Sequence, residues 1–169
     1  VYGNSGYAYT GSTPSKLKKR IEEANSSNAE ITDINITENG NYVIILGGSG
    51  YWTLGYPDAF LKKLEQYRTG DLRDDNILSA CFNDRGEWVV ITDKHYSYSN
   101  ETIKNFILKA EELYEEVYYA YITNYGMIAC CKNGVYYKNI PSNLAEALKK
   151  LTFKPKVIKF TDNGLYLIT

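Results

Sequence analysis

A hairpin motif with a glycine at the end of its turn occurs four times along this chain of 169 residues. In each copy an alternating strand leads into a short polar turn, and a continuously apolar strand follows the glycine. Hairpin turns need a backbone with positive φ, which glycine adopts at the lowest cost. The chain therefore predicts four tandem β-hairpins. They span 34–46, 80–92, 120–132 and 158–169, with turn glycines Gly40, Gly86, Gly126 and Gly164.

The first strand of each hairpin is predicted to have one buried and one exposed face. Apolar residues stand four and six positions before each turn glycine, and the residues between them are mostly polar, which is typical of a half-buried strand. The second strand is apolar throughout, so we expect it to be covered on both faces. The apolar positions are Ile34, Ile36, Ala80, Phe82, Ala120, Ile122, Ile158 and Phe160, and the residues between them are Asn35, Cys81, Tyr121 and Lys159.

A tyrosine-rich third strand and an amphipathic helix accompany each hairpin. Pro14, Pro57 and Pro141 open three of the helices, where the missing N–H of proline costs nothing, and Asn100 can cap the fourth. Each helix carries one apolar stripe at 3.6-residue spacing. The repeat is therefore βββα, with helices predicted at 15–25, 58–68, 101–116 and 142–151.

The fourth repeat is divided between the two ends of the sequence, because the chain stops at Thr169 within a second strand. We expect a single domain, 1–169, with repeats at 31–75, 76–116, 117–154 and 155–169 plus 1–30. A closed ring that pairs the terminal strands leaves no sheet edge open and is favoured. An open array or a head-to-tail polymer would also account for the split. The alternative fold is one curved antiparallel sheet with the helices on a single face.

The segment Gly50-Tyr51-Trp52, followed by Tyr56-Pro57, resembles a segment of the hemopexin-like four-bladed propeller family. The resemblance implies a β-rich fold with helices, in which four repeats close into a propeller-like ring. Hemopexin-like domains mostly bind proteins or ligands, and some hold a cation on the central axis. The repeat motif N-G-x-W/Y-V-I-L-x-G-x-x-G-Y also resembles uncharacterised tandem-repeat proteins, best over 38–64. The bridging cysteine pair of hemopexin-like domains is absent here, and no ligand-binding residue is carried over by motif.

The charge balance excludes some classes of partner. Nineteen Lys and Arg stand against twenty Asp and Glu, a formal net charge of −1, so there is no surplus of cations to displace phosphate counterions. We therefore expect no nucleic-acid binding. No apolar run approaches the ~20 residues that span a bilayer, which predicts a soluble chain without membrane insertion. The compartment stays open: the sequence begins at Val1, and secretion with a removed leader fits that start.

Catalytic chemistry is sparse in this sequence. Motifs of hydrolases, zinc proteins and nucleotide-binding loops are absent, and the single histidine, His95, lies at a predicted turn between two strands. The three cysteines are expected to be buried free thiols. We predict that the chain is not an enzyme and carries no cofactor.

Three carboxylates occupy equivalent positions in the turns of three repeats, and Asn124 occupies that position in the fourth. Turn geometry alone accounts for polar residues at such positions, and this interpretation is favoured. Fourfold symmetry would nevertheless place them on one rim, where they could gather a cation. The weak metal candidates are Glu38, Asp84 and Asp162.

The 17 tyrosines carry the functional prediction. Packing accounts for many of them, because Tyr buries its ring while its hydroxyl stays in water; Tyr and Trp are also the usual anchors of binding surfaces. The third-strand aromatics predict a contact surface formed by Tyr9, Trp52, Tyr98 and Tyr137. A cluster without counterparts in the other repeats predicts an asymmetric site formed by Tyr118, Tyr119, Tyr121 and Tyr125.

We therefore expect a non-catalytic binding or interaction module that uses a Tyr/Trp-rich surface for a protein or glycan partner. The alternative is a structural subunit that assembles head to tail into filaments through the split repeat. The second function makes a homo-oligomer, so the mass in solution distinguishes the two.

Overall fold

The computed structural model describes residues 13–169 together with the backbone of two short strands, β1 (Tyr2–Gly3) and β2 (Gly6–Tyr7). The strands that follow are β3 (Ile31–Ile36), β4 (Tyr42–Leu46), β5 (Tyr51–Leu54), β6 (Ile77–Phe82), β7 (Trp88–Thr92), β8 (Tyr96–Tyr98), β9 (Val117–Ile122), β10 (Met127–Cys131), β11 (Gly134–Lys138), β12 (Ile158–Phe160) and β13 (Tyr166–Ile168). The helices are α1 (Ser15–Ser26), α2 (Asp58–Thr69), α3 (Glu101–Tyr114) and α4 (Ser142–Lys149).

The strands form small, separate antiparallel sheets. Three sheets hold three strands each, in the orders β3-β4-β5, β6-β7-β8 and β11-β10-β9, while β1-β2 and β12-β13 are two-stranded. None of these sheets closes into a barrel, and no described strand pairs with a strand of another sheet. The alternative of one curved antiparallel sheet is therefore wrong.

The unit of three strands followed by a helix is visible in three copies, which end in α2, α3 and α4. All four predicted helices are confirmed, and each begins at the predicted residue. The side chain of Asn100 caps α3 by accepting a hydrogen bond from the backbone N–H of Ile103 at 3.0 Å. The other three helices have proline at the N-cap position. Helix α3 ends two residues before its predicted end, because Glu115 adopts a positive φ of 62°.

The helices pack their apolar stripes against neighbouring sheets. Phe60 of α2 lies in one core cluster with Val43 of β4 and Val90 of β7, so this helix joins two repeats. The ring centroid of Phe60 is 5.2 Å from that of Phe82. Helix α3 does the same for the next pair, because Ile107 packs in a cluster that contains residues of β7 and β10. None of the helices within residues 13–169 has the length and apolar character needed to cross a membrane.

The first strands β6 and β9 are buried on both faces over most of their length, so the prediction of a half-buried first strand is wrong for them. Strand β3 is half-buried, but its buried face is the one that carries Asp33 and Asn35. Only β12 has the predicted pattern, with Ile158 and Phe160 buried and Lys159 partly accessible. Asn35, Cys81 and Tyr121, which we expected on the exposed face, are all buried. Each lies where the first strand of another repeat covers it. The amide of Asn35 donates to the carbonyl of Ala80 at 2.7 Å, and the thiol of Cys81 lies 3.6 Å from the carbonyl of Ala120.

Contacts between the first strands run from β3 to β6, from β6 to β9 and from β9 to β12. They then return from β12 to β3, because the ammonium of Lys159 lies 2.7 Å from a carboxylate oxygen of Asp33 and also donates to the carbonyl of Ile34. Asp33 is buried, and Lys159 is only partly accessible to solvent. The residues between the apolar positions therefore bind the repeats to one another.

Two positions near the turns differ from the repeat pattern. Ile36 is 40% exposed, whereas its equivalent Phe160 is 2% exposed, so Ile36 does not belong to the core face. Gly40, Gly86 and Gly164 have the expected positive φ, but Gly126 does not. At Gly126 the constraint is space instead: a Cβ atom there would lie 2.5 Å from the carbonyl oxygen of Asn139.

The prediction of buried free thiols is confirmed for Cys81, Cys130 and Cys131. Burial raises the pKa of the Cys130 thiol to about 12 and that of Cys131 to about 11. Because the thiolate is the reactive form, these cysteines are poor nucleophiles at neutral pH.

The Lys159–Asp33 ion pair yields a stability prediction. The substitution Lys159→Met leaves a buried carboxylate unpaired, which should lower the free energy of unfolding by about 3–5 kcal/mol in urea titrations at pH 7. Adding Asp33→Asn removes that charge and keeps an acceptor for the side chain of Asn35, so the double variant should recover most of the loss. Lys156→Met, at an exposed position, is the matched control and should change stability by less than about 0.5 kcal/mol. Equal losses in the single and double variants would contradict the role of this pair.

Candidate binding sites

A groove of about 500 Å³ runs along β11, between that strand, the end of α4 and the segment 151–155. We call it the β11 groove. Its apolar lining consists of Tyr114, Val135, Tyr137, Leu148, Leu151, Phe153 and Pro155, and its cationic lining consists of Lys132, Lys149 and Lys154.

The alternation of β11 explains how this groove obtains its aromatic wall. Val135 and Tyr137 line the groove, while Tyr136, between them, packs in the other direction with its ring 5.0 Å from Phe106 of α3. Gly134 allows the ring of Tyr114 to lie over the start of the strand, because a Cβ atom there would be 2.5 Å from that ring. The groove therefore depends on Gly134 and on the alternation of side chains along β11.

Helix α4 leaves the other wall apolar and exposed. It has only eight residues and buries only Leu144, so Leu148 and Leu151 stay partly accessible beside the groove. Phe153 is 53% exposed. The segment 151–155 is held in place at Pro155, whose carbonyl accepts a hydrogen bond from the hydroxyl of Tyr118 at 2.5 Å.

The chain segment that provides most of the β11 groove is basic. Residues 127–161 contain seven lysines and one acidic residue, Glu146. Lys132 and Lys149 each form a surface ion pair at 2.7 Å, with Glu115 and Glu146, and these carboxylates raise the pKa of both lysines. The remaining exposed lysines of this region are Lys138, Lys150, Lys154 and Lys156. The run of lysines at 149–156 is visible in the sequence, but the overall charge of −1 conceals its significance.

A second cavity, of about 210 Å³, lies where the turns of the repeats meet, and we call it the turn cavity. Each repeat contributes the residues that precede its turn glycine. The lining is Ile36, Thr37, Glu38, Phe82, Asn83, Asp84, Tyr121, Ile122, Thr123, Asn124, Phe160 and Thr161.

Hydrogen bonds between the turns hold this cavity together. Asp84 accepts from the hydroxyl of Thr37 at 2.6 Å, and Asp162 accepts from the hydroxyl of Thr123 at 2.5 Å. The amide nitrogen of Asn124 donates to Glu38 at 3.3 Å. These bonds leave two buried oxygens without a donor, Oδ1 of Asn124 and Oδ2 of Asp162.

Of the weak metal candidates, Glu38 and Asp84 line the turn cavity, and Asp162 bonds to Thr123 of the lining. They do not form a metal-binding cluster, however. Within residues 13–169, no three side chains of His, Cys, Asp or Glu come close enough together to hold a metal ion.

The predicted third-strand surface is distributed over different sheets. Trp52 lies beside α1, with the guanidinium of Arg20 5.4 Å from its ring centroid, and Tyr98 packs against the core beside α3. Tyr137 lines the β11 groove. Tyr9 lies outside the described residues. Of the three predicted third-strand aromatics that the structure describes, Tyr137 is therefore the one that lines a groove.

The asymmetric tyrosine cluster is also divided. Tyr119 is 2% exposed and its hydroxyl points to Asn35 at 3.5 Å, so a surface partner cannot reach it. Tyr121 is 9% exposed and lines the turn cavity. Tyr118 is half-buried, and Tyr125, 65% exposed, carries the guanidinium of Arg85 4.7 Å from its ring. A single tyrosine surface on β9 is thus not formed.

His95 lies in the predicted turn, but it is not simply solvated. Its Nδ1 is 2.6 Å from a carboxylate oxygen of Asp75, a buried residue that no sequence pattern marks. Thr92 also donates to Asp75, and Lys94 lies 3.5 Å away. Burial by itself raises the pKa of the Asp75 carboxyl, but the hydrogen bonds of His95 and Thr92 and the nearby charges of His95 and Lys94 together outweigh it, so the pKa lies below its usual value.

The depressed pKa of Asp75 predicts pH-dependent stability. A carboxyl whose pKa is lower in the folded state contributes stability above its unfolded pKa, near 3.8, and that contribution is lost as the pH falls through the folded value. Asp75→Asn should therefore destabilise the protein by about 1–3 kcal/mol at pH 7 in urea titrations. The difference from the unchanged protein should shrink steadily below about pH 4. A difference that is constant from pH 7 to pH 3 would show that the charge of Asp75 is unimportant.

Comparisons with known proteins give no relative from which a function could be transferred. No family model matches the chain, and neither the curated proteins nor the solved structures include a match. Only the two sites themselves therefore point to a function.

Proposed function

We propose that the chain is a non-catalytic binding module, and that the β11 groove is its contact site for a protein or glycan partner. The observation that carries this proposal is the combination of exposed aromatic side chains and lysines in a groove of about 500 Å³. Tyrosine and phenylalanine supply apolar contact area, while the lysines select a partner of negative charge.

Of the two partner classes, an acidic protein segment is favoured. Strand β11 is the edge of its sheet, and among residues 13–169 its backbone bonds only to β10. An extended peptide can pair with such an edge through main-chain hydrogen bonds and place alternate side chains in adjacent pockets. The position of Val135 and Tyr137 provides those pockets beside the edge.

Fluorescence anisotropy with labelled peptides tests the groove. Acidic ten-residue peptides with alternating aliphatic side chains are expected to bind, and their affinity should fall as salt rises. Phe153→Ala and Lys154→Glu should each weaken binding by about tenfold, the size of a modest hot spot. Lys62→Glu on α2 makes the same charge change at an exposed position outside the groove and should have little effect.

Heparin, as an acidic glycan, is the second probe in the same assay. Binding of heparin but not of the peptides, lost in the same two variants, would assign the groove to a glycan. If neither probe binds, or if Lys62→Glu weakens binding as much as Lys154→Glu, the groove is not the contact site.

We also propose that the four repeats form a propeller-like ring. The contacts between successive first strands support this arrangement, together with the return from β12 to β3 through Lys159 and Asp33. Adjacent sheets also share core clusters, as expected for blades that pack face to face. In such a ring the split repeat would be completed within one chain.

The alternative of a subunit that assembles head to tail is favoured by one observation. Leu165, Tyr166 and Leu167, at and beside β13, are all more than 40% exposed, which is unusual for three consecutive large apolar residues. A strand added by a second copy would cover them. Repeated pairing of this kind, from one copy to the next, would build a filament.

Sedimentation equilibrium distinguishes the two assemblies. A closed ring should give a mass near 19.2 kDa at all concentrations from about 1 to 200 µM, a range in which weak interfaces populate. A filament should show a mass that rises with concentration, and Leu167→Lys should abolish that rise. A rising mass that this variant abolishes would overturn the closed ring.

A further inference from the structure

The turn cavity has an excess of acceptors over donors. Its lining contains no Lys, Arg or His among the described residues, and the nearby Arg85 directs its guanidinium to the ring of Tyr125 instead. Two buried oxygens have no donor: Oδ1 of Asn124, which lines the cavity, and Oδ2 of Asp162, whose other oxygen accepts from Thr123 of the lining. A ligand that completes this site must therefore bring N–H or O–H groups, because a buried polar atom without a partner is costly.

An independent observation is the hydroxyl of Tyr121. This side chain is more than nine-tenths buried and lines the cavity, yet its hydroxyl makes no hydrogen bond within the part of the chain that the structure describes. Burial first, and then neighbouring negative groups that include Asp33, Asp162 and Glu38, raises the pKa of Tyr121. The phenol consequently stays neutral, and its oxygen is available to a donor in the cavity.

Aromatic side chains form the apolar part of the lining. The rings of Tyr121 and Phe160 meet edge to face at 5.7 Å, and Phe82 lines the same space. Aromatic faces attract cations, and an acidic rim without a counter-cation adds to that attraction.

The cavity size restricts the ligand. About 210 Å³ holds roughly seven waters at ~30 Å³ each, so the ligand is no larger than one sugar ring. A metal ion lacks three converging ligands here among residues 13–169. A short apolar chain that ends in an ammonium group fits the volume, the aromatic wall and the free acceptors together.

We propose that the turn cavity binds a primary ammonium group on a short apolar chain. The ammonium is held by Glu38, Asp84 and the free amide oxygen of Asn124, and the chain lies against Phe82, Tyr121 and Phe160. The group belongs either to a free small amine or to a lysine side chain of a partner protein. This site is separate from the β11 groove and does not depend on the function proposed for it.

Two-dimensional NMR spectra that correlate amide protons with nitrogens provide the test. Each repeat has one glycine at the end of its turn, so the four glycine amide signals report on all four turns. Butylammonium should shift these glycine signals in a saturable way. Tetramethylammonium, a cation without N–H donors, should bind at least about fivefold more weakly, and butanol, without charge, weaker still. Calcium chloride at the same concentration should not compete.

Glu38→Gln should weaken butylammonium binding by about tenfold, because it removes one charge at an exposed position without changing side-chain size. Glu112→Gln on α3 removes an exposed carboxylate elsewhere and should leave the affinity within about twofold. Tyr121→Phe, which removes only the unpartnered hydroxyl, should weaken binding about threefold while the melting temperature is maintained.

The source of the ammonium is identified by a second ligand, lysine that is blocked at its backbone as the Nα-acetyl N-methylamide and keeps its side-chain ammonium free. Tighter binding than that of butylammonium indicates a lysine of a partner protein, and weaker binding indicates a free amine. The proposal is overturned if butylammonium shifts no turn glycine, if tetramethylammonium or calcium binds as well, or if Glu38→Gln behaves like Glu112→Gln.

Discussion

The first strands of the four repeats place polar side chains where other repeats, and not water, must supply their partners. Asp33, Asn35 and Ser79 are all buried, and each is satisfied by a bond that involves a different repeat. Burial of these groups is costly unless every bond is made. The repeats therefore have to assemble together, in one register, because shifting a first strand by one residue would separate donors from acceptors.

The turn cavity follows from this convergence. When the first strands meet, their turns meet as well, and equivalent residues from all repeats are brought close together. An acidic residue at the same turn position in three of the four repeats then concentrates negative charge, although each residue alone would be an ordinary solvated turn side chain. The repulsion is smaller than four carboxylates would give, because Asn124 stands at this position in the remaining repeat and donates to Glu38.

Most of the local structure can be predicted from the sequence, because local patterns determine it. The predicted helix starts are correct since Pro and Asn100 act within one turn, and the hairpins are correct since glycine and alternation act within a dozen residues. The burial of Asn35, Cys81 and Tyr121 is not predictable in this way, since another repeat covers them and the alternation of one strand contains no information about its neighbours. The contact of Asp75 also cannot be predicted from local patterns, because its partner His95 lies 20 residues further along the chain, beyond β6 and β7.

The sites show a similar limit. The aromatic excess includes Tyr137, which lines the β11 groove, but Tyr119 lies on β9, where other repeats cover it, and Tyr137 lies on the edge strand β11. The tyrosines therefore do not act as one surface. Net charge is equally incomplete, because a total of −1 is the sum of a basic region at 127–161 and an acidic remainder. Screening at physiological salt limits the electrostatic reach of each exposed charge to about 8 Å. A ligand therefore responds to the local lysines or carboxylates and not to the net charge of the chain. A nearly neutral chain can for this reason offer an anionic partner one face and a cationic group another.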